Sequence, residues 1–80
     1  MTVTVRFFAS YKDALGMPSM SLDLGDGDTV SDVIRAVSAL PGGSTLPPSP
    51  LIAVNHSYSR RTDMLSNGDE VALIPPVAGG

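Results

Sequence analysis

One long stretch of this chain carries its apolar residues at helical spacing: Val30, Val33, Ile34, Val37 and Leu40 fall on one face. The segments around it alternate instead. Thr2 to Phe8 sets Val3, Val5 and Phe7 on one face and Thr4, Arg6 and Phe8 on the other, the mark of a half-buried strand. Met20, Leu22 and Leu24 alternate with Ser21 and Asp23. Leu51 to Val54 reads as a short apolar strand and Tyr58 to Arg60 as a brief edge strand. Glu70 to Ile74 is the last strand, with Val71 and Leu73 on one face and Ala72 and Ile74 on the other. A helical stripe and a sheet face must bury each other. One main helix can cover one face of one sheet, so the chain is constrained to an α+β layer: a mixed sheet of four to five strands with that helix packed on one side.

The breaks between segments agree with this reading. Ser10 to Leu15 suits a short helix or a turn of one, closed by Gly16. Gly25 to Asp28 is a turn. Thr29 caps the main helix, and Asp32, three residues on, matches a capping box. Pro41-Gly42-Gly43 ends the helix, and residues 41–50, PGGSTLPPSP, form a stiff proline-rich loop. Asn55-His56 closes the third strand, and Asn67-Gly68 is a strong signal of a tight turn. The order strand, strand, helix, strand, short strand, strand is that of the β-grasp, or ubiquitin-like, arrangement. No repeat or linker divides the 80 residues, which make one small domain. Residues 1–76 are expected to form the β-grasp domain and residues 77–80 an extended tail.

That tail is the chemically suggestive part. The last strand runs into Pro75-Pro76-Val77-Ala78 and closes on Gly79-Gly80. Frayed ends are commonly polar, whereas this one is stiff, apolar and bare at its tip. Such a segment suits insertion into a narrow tunnel, because only glycine lets a backbone approach another surface so closely. The reactive group would then be the carboxylate of Gly80. A carboxylate is a poor acyl donor until converted to a mixed anhydride, and adenylation supplies that.

Composition narrows the partners. The net charge is −3, with Lys12 and four arginines as the cations, so nucleic-acid binding is disfavoured for want of a basic face. The chain has no cysteine, hence no disulfide, thiolate metal site or cysteine nucleophile. It shows no signal peptide and no apolar run near the ~20 residues that span a membrane, so the cytoplasm is the expected location.

Three segments resemble a known family: VRFFASYKDALG (Val5 to Gly16), IAVN (Ile52 to Asn55) and above all NGDEVALIPPVAGG (Asn67 to Gly80). They are similar to the small subunit of molybdopterin synthase, and the likeness spans nearly the whole chain. The resemblance implies a β-grasp sulfur carrier. Its terminal glycine, here Gly80, is adenylated with ATP by a ubiquitin-activating-like enzyme and then receives sulfur from a donor as a thiocarboxylate. The tail, here Pro75, Pro76, Val77, Ala78, Gly79 and Gly80, enters the large subunit and delivers sulfur to a pterin precursor. The chain itself would be a non-catalytic sulfur-donor subunit, with no bound cofactor or metal; ATP is used by the activating partner. Phe8, Ile74 and Tyr58 point away from the helix by strict alternation and could make one patch. In the family this face holds both partners, so these residues are expected at the partner interface. Sulfur carriers for thiazole or cysteine synthesis share the fold and the diglycine end, and a ubiquitin-like modifier would join Gly80 to lysines instead. A plain binding module with an incidental tail is the remaining alternative.

The other motifs have blander readings. His56, the only histidine, is expected at a turn after Asn55 and lacks the companions of a general base. Asp26-Gly27-Asp28 lacks the glycine and distal glutamate of a calcium loop and reads as a turn with favourable charge near a helix N-terminus. Gly42-Gly43-Ser44-Thr45 lacks the lysine of a phosphate-binding loop. Arg60-Arg61 is read as a solvated pair, with a partner contact as the alternative.

Overall fold

The computed structural model describes residues 1–43 and 50–75. The elements are β1 (Thr2–Phe7), α1 (Ala9–Leu15), β2 (Ser19–Asp23), α2 (Val30–Ser38), β3 (Leu51–Val54), β4 (Ser57–Tyr58) and β5 (Glu70–Ile74). The sheet order is β2-β1-β5-β3-β4. β1 and β5 run parallel at its centre, and every other neighbour is antiparallel. The mixed sheet, expected with four to five strands, is present with five.

The alternating segments supply the core from one sheet face. Val3, Val5 and Phe7 of β1, Ile52 of β3, and Val71 and Leu73 of β5 are buried, as are Val30, Val33 and Val37 of α2. Ile34 and Leu40 pack against this core from a half-buried position. The main helix does not cover the sheet alone. Tyr11 and Leu15, four apart on α1, lie on one helical face and are also buried. Burial pushes the Tyr11 phenol above its ordinary range, while the nearby Arg61 charge pulls it the other way.

α2 begins at Thr29, whose backbone N–H donates to Asp32 Oδ2 at 2.8 Å. Its hydroxyl donates to the same oxygen at 3.3 Å. The first helical N–H groups have no partner inside a helix. Here the segment after β4 supplies them: Val30 N–H donates to the Asp63 carbonyl and Ser31 N–H to the Arg61 carbonyl, both at 3.0 Å. The Thr29 N–H bond, with the hydroxyl and Arg35 adding to it, holds the Asp32 carboxyl below its ordinary value of 3.8. A lowered folded-state pKa adds stability above the ordinary value, and that stability is lost as pH falls through the folded pKa. Asp32→Asn is accordingly expected to melt below wild type near pH 7, with the gap closing as the solution is acidified past 3.8. Thermal melts across that range check this.

Two local expectations are corrected. α2 stops at Ser38, before Pro41, because its last N–H groups tighten: Ala39 donates to both Arg35 and Ala36 carbonyls and Leu40 to Val37. Pro41-Gly42-Gly43 therefore follows the helix end rather than making it. Gly42 sits at φ +85, where a Cβ would come within 2.5 Å of the Ala14 carbonyl, so glycine lets this exit pack on the end of α1. The edge strand is Ser57–Tyr58, not Tyr58 to Arg60. Asn55 and His56 both take positive φ, 50° and 72°, making a two-residue turn that starts β4 at once. Arg60 N–H turns away to Asp63 Oδ2.

Asn67-Gly68 is a tight turn, as expected. Only Gly68 has positive φ, and Asp69 N–H donates to the Ser66 carbonyl. The turn fastens onto the start of β1: Thr2 N–H donates to Asn67 Oδ1 and Gly68 N–H to the Thr2 carbonyl, both at 2.8 Å. β5 thus leaves the turn alongside β1, in parallel.

Candidate partner-binding face and tail root

The residues that alternate outward from β1, β5, β3 and β4 share the sheet face opposite the helices. Paired residues of neighbouring strands lie on the same side. Arg6 stands opposite Ala72, Ala72 opposite Ala53, and Ala53 opposite Tyr58, so one row crosses four strands. The next row along holds Ile74 opposite Leu51, with Phe8 one residue beyond the last β1 pair, Phe7 with Leu73. Small alanines therefore lie between Arg6 and Tyr58, beside a row of Phe8, Ile74 and Leu51.

Each side chain is placed by a local feature. Phe8 keeps extended geometry, φ −121° and ψ 150°, as N-cap of α1, and its N–H donates to the Leu73 carbonyl at 3.3 Å. The Arg6 guanidinium lies 5.5 Å from the centre of the Phe8 ring and pairs with Glu70 at 2.9 Å. The one charge in the apolar rows is thereby neutralised. Tyr58 is held at the edge by the Asn55-His56 turn. Asn55 fits there because asparagine tolerates positive φ. Its amide is also used on both sides, donating to Asp69 Oδ1 and accepting from Glu70 N–H, each at 2.9 Å.

Phe8, Leu51 and Tyr58 are exposed, at 38%, 41% and 79%, and Ile74 is half-buried. Phe8 and Ile74 thus come together as neighbours, and Tyr58 lies two strands away across Ala53. Leu51 is an outward apolar residue that the continuous apolar run of β3 concealed; the inward position of Ile52 is the signal that would have found it. Half-buried Pro75 leaves the sheet at this same end, directly after Ile74. Pro76, Val77, Ala78, Gly79 and Gly80 lie outside the described residues, as do Ser44 and Thr45.

The remaining candidates stay apart from this face. His56 is exposed in its turn, as expected. Asp28 Oδ2 accepts from Gly25 N–H, so the Gly25 to Asp28 segment is a self-contained turn. Arg60 and Arg61 are exposed. Among the described residues no three His, Asp or Glu side chains gather as a metal site requires, and no helix is long and apolar enough to cross a membrane.

The strand order and the helical layer define a ubiquitin-like β-grasp domain. A molybdopterin-converting factor from Helicobacter pylori, solved as a complex of its subunits 1 and 2, includes a chain of this fold: TM-score 0.73 at 23% identity, covering 100% of both chains. The model of the ThiS family matches residues 5–80, and the chain belongs to that family. Its relatives include the molybdopterin synthase sulfur carrier subunit of Chlamydomonas reinhardtii, 34% identical over 100% of both chains. The protein of the same name from Dictyostelium discoideum is 38% identical, over 95% of this chain and 93% of its own.

Proposed function

We propose that this chain is the sulfur-carrier subunit of a molybdopterin synthase. Likeness over the full length to relatives bearing that name carries the reading. The geometry supports it: a strand at the sheet centre leads straight to the tail, and an apolar face surrounds the tail's root. Gly80 is activated by an adenylating ubiquitin-activating-like enzyme with ATP. The carboxylate oxygen attacks the α-phosphorus, pyrophosphate leaves, and a sulfur donor then displaces AMP to give the thiocarboxylate. The large subunit grips the Phe8, Leu51, Ile74 and Tyr58 face, receives the tail and uses the sulfur on a pterin precursor. The carrier supplies position and the reacting carbonyl, and the partners supply the chemistry. On this reading the chain works in the cytoplasm.

Incubation with the activating enzyme, ATP and a sulfur source, followed by intact mass measurement, tests the reading. The carrier should gain the mass difference between sulfur and oxygen, only when ATP is present, and the charged form should then yield its sulfur to the large subunit. ATP-dependent joining to lysines of other proteins, without sulfur gain, would favour a modifier instead.

A further inference from the structure

The sheet ends on β2 at one side and on β4 at the other. An edge strand presents unpaired N–H and carbonyl groups, a template on which another chain can pair. β4 spans only Ser57–Tyr58 and offers little of that. β2 runs from Ser19 to Asp23 and carries none of the usual guards. It has no lysine and no proline, and among the described residues no backbone group bonds to its outer side.

The ladder to β1 fixes which groups look outward. Phe7 N–H donates to the Pro18 carbonyl at 2.9 Å and Leu24 N–H to the Met1 carbonyl at 2.7 Å. Bonded and unbonded pairs alternate in an antiparallel ladder, so Val5 with Met20 and Val3 with Leu22 carry the bonds between. Ser19, Ser21 and Asp23 therefore turn their N–H and carbonyl groups away from β1. The side chains alternate too. Met20, Leu22 and Leu24 are half-buried against the core on the helix side, and Ser19, Ser21 and Asp23 are exposed on the other.

The geometry points to a second copy of this chain as the occupant of this edge. Two β2 strands pair antiparallel about a twofold axis through Ser21 and join two sheets into one. The segment Pro18 to Leu24, PSMSLDL, reads the same in kind from either end. In this register Ser21 faces Ser21 of the second copy and Ser19 faces Asp23, so every outward donor meets an outward acceptor. Met20 meets Leu22 and Pro18 meets Leu24, apolar against apolar on the helix side. Pro18 has no N–H and falls at an unbonded position, where none is needed. A slip of one residue would set serines against leucines and send the apolar side chains to the wrong face, so the pattern selects this register.

Charge agrees with the pairing. Asp23, the one charge on β2, meets the Ser19 hydroxyl of the second copy rather than another acid, and Thr2 Oγ1 already donates to its Oδ1 at 2.9 Å. The two Asp23 side chains stand about 14 Å apart across the axis. That exceeds the ~8 Å over which charges act at physiological salt. The pairing also leaves the other surface free. β1 lies between β2 and β5, so the Phe8, Ile74 and Leu51 row and the tail's root stay open on both copies. A single strand ladder makes a small interface, so the dimer is weak and concentration-dependent.

Sedimentation equilibrium of the full chain from about 10 μM to about 1 mM, the range suited to a small interface, tests this. The mean mass should climb from monomer toward dimer. Ser21→Lys and Ser21→Asp should each raise the dissociation constant about tenfold or more, because the axis sets like charges face to face. The Ser21 side chain is exposed, so both variants should melt as wild type does. An equal mixture of the two should dimerise again, since opposite charges then meet across the axis. A wild type that stays monomeric throughout, a dimer that persists in Ser21→Lys, or a mixture that does not recover would each overturn the inference. So would a dimer that Phe8→Asp dissolves and Ser21→Lys does not, for that contact belongs to the outward sheet face. The measurement needs neither ATP nor sulfur, so it stands apart from the test of the carrier reading.

Discussion

A chain that ends at Ala78 is expected to lose sulfur transfer completely while melting as the full chain does. The two halves of this result have separate causes. All the buried apolar residues described lie between Val3 and Leu73, and β5 ends at Ile74. Removing Gly79 and Gly80 takes nothing from that core, so the melting temperatures should agree within error. The chemistry has no such tolerance. The new carboxylate at Ala78 stops about 7 Å short of where Gly80 would place it. A misplacement of ~1 Å at a reacting centre can cost ~100-fold in rate, so two missing residues leave nothing measurable. The new end also carries a Cβ, which narrows the backbone conformations open to it and widens the tip. Intact mass after ATP and sulfur treatment, with melts of both proteins, checks the pair. Residual charging of the shortened chain would show that the activating partner does not gauge tail length, and a large fall in melting temperature would make the tail structural.

The layers of this fold were legible because they depend on periodicity. The Val30, Val33 and Val37 stripe and the alternation of β1 and β5 each pointed inward as expected. Thr29 and Asp32 marked the start of α2, since a capping box is local chemistry. What escaped was nonlocal. The carbonyls of Arg61 and Asp63 that serve the first N–H groups of α2 come from a segment of no evident pattern. The tight turn at Asn67-Gly68 was legible, but the strand it would fasten to was not. Thr2, from the far end of the chain, captures it and turns β5 parallel to β1. His56 at positive φ is uncommon for a residue other than glycine, so β4 begins one residue earlier than its sequence suggests. The outward patch was partly legible for the same reason: alternation gave Phe8 and Ile74, but pairing with β5 was needed to put Leu51 beside them.

Phe8→Asp is expected to separate binding from folding more cleanly than any other change on this face. Phe8 is the N-cap of α1, in extended geometry, and makes no side-chain cap bond there. Aspartate is among the preferred N-cap residues, worth about 1 kcal/mol over a residue that cannot cap. The Arg6 guanidinium over the Phe8 ring contributes about 0.5–1 kcal/mol at an exposed site, and the variant loses it while Arg6 stays paired with Glu70. The part of the ring that the protein already covers is lost as well, at about 1–2 kcal/mol, so the melting temperature should fall by several degrees while the fold is kept. Binding loses more. Phe8 adjoins Ile74 and, through it, Leu51, at the place where the tail leaves the sheet. A large subunit seated there would bury the new carboxylate among apolar groups, with Arg6 already committed to Glu70. Burying a charge without a full partner costs several kcal/mol. A loss of about 2.7 kcal/mol already raises the dissociation constant ~100-fold. Titration of the variant against the large subunit, beside a thermal melt, reads both numbers. Unchanged affinity would remove this face from the interface, and a collapse of the melt would assign Phe8 to the core.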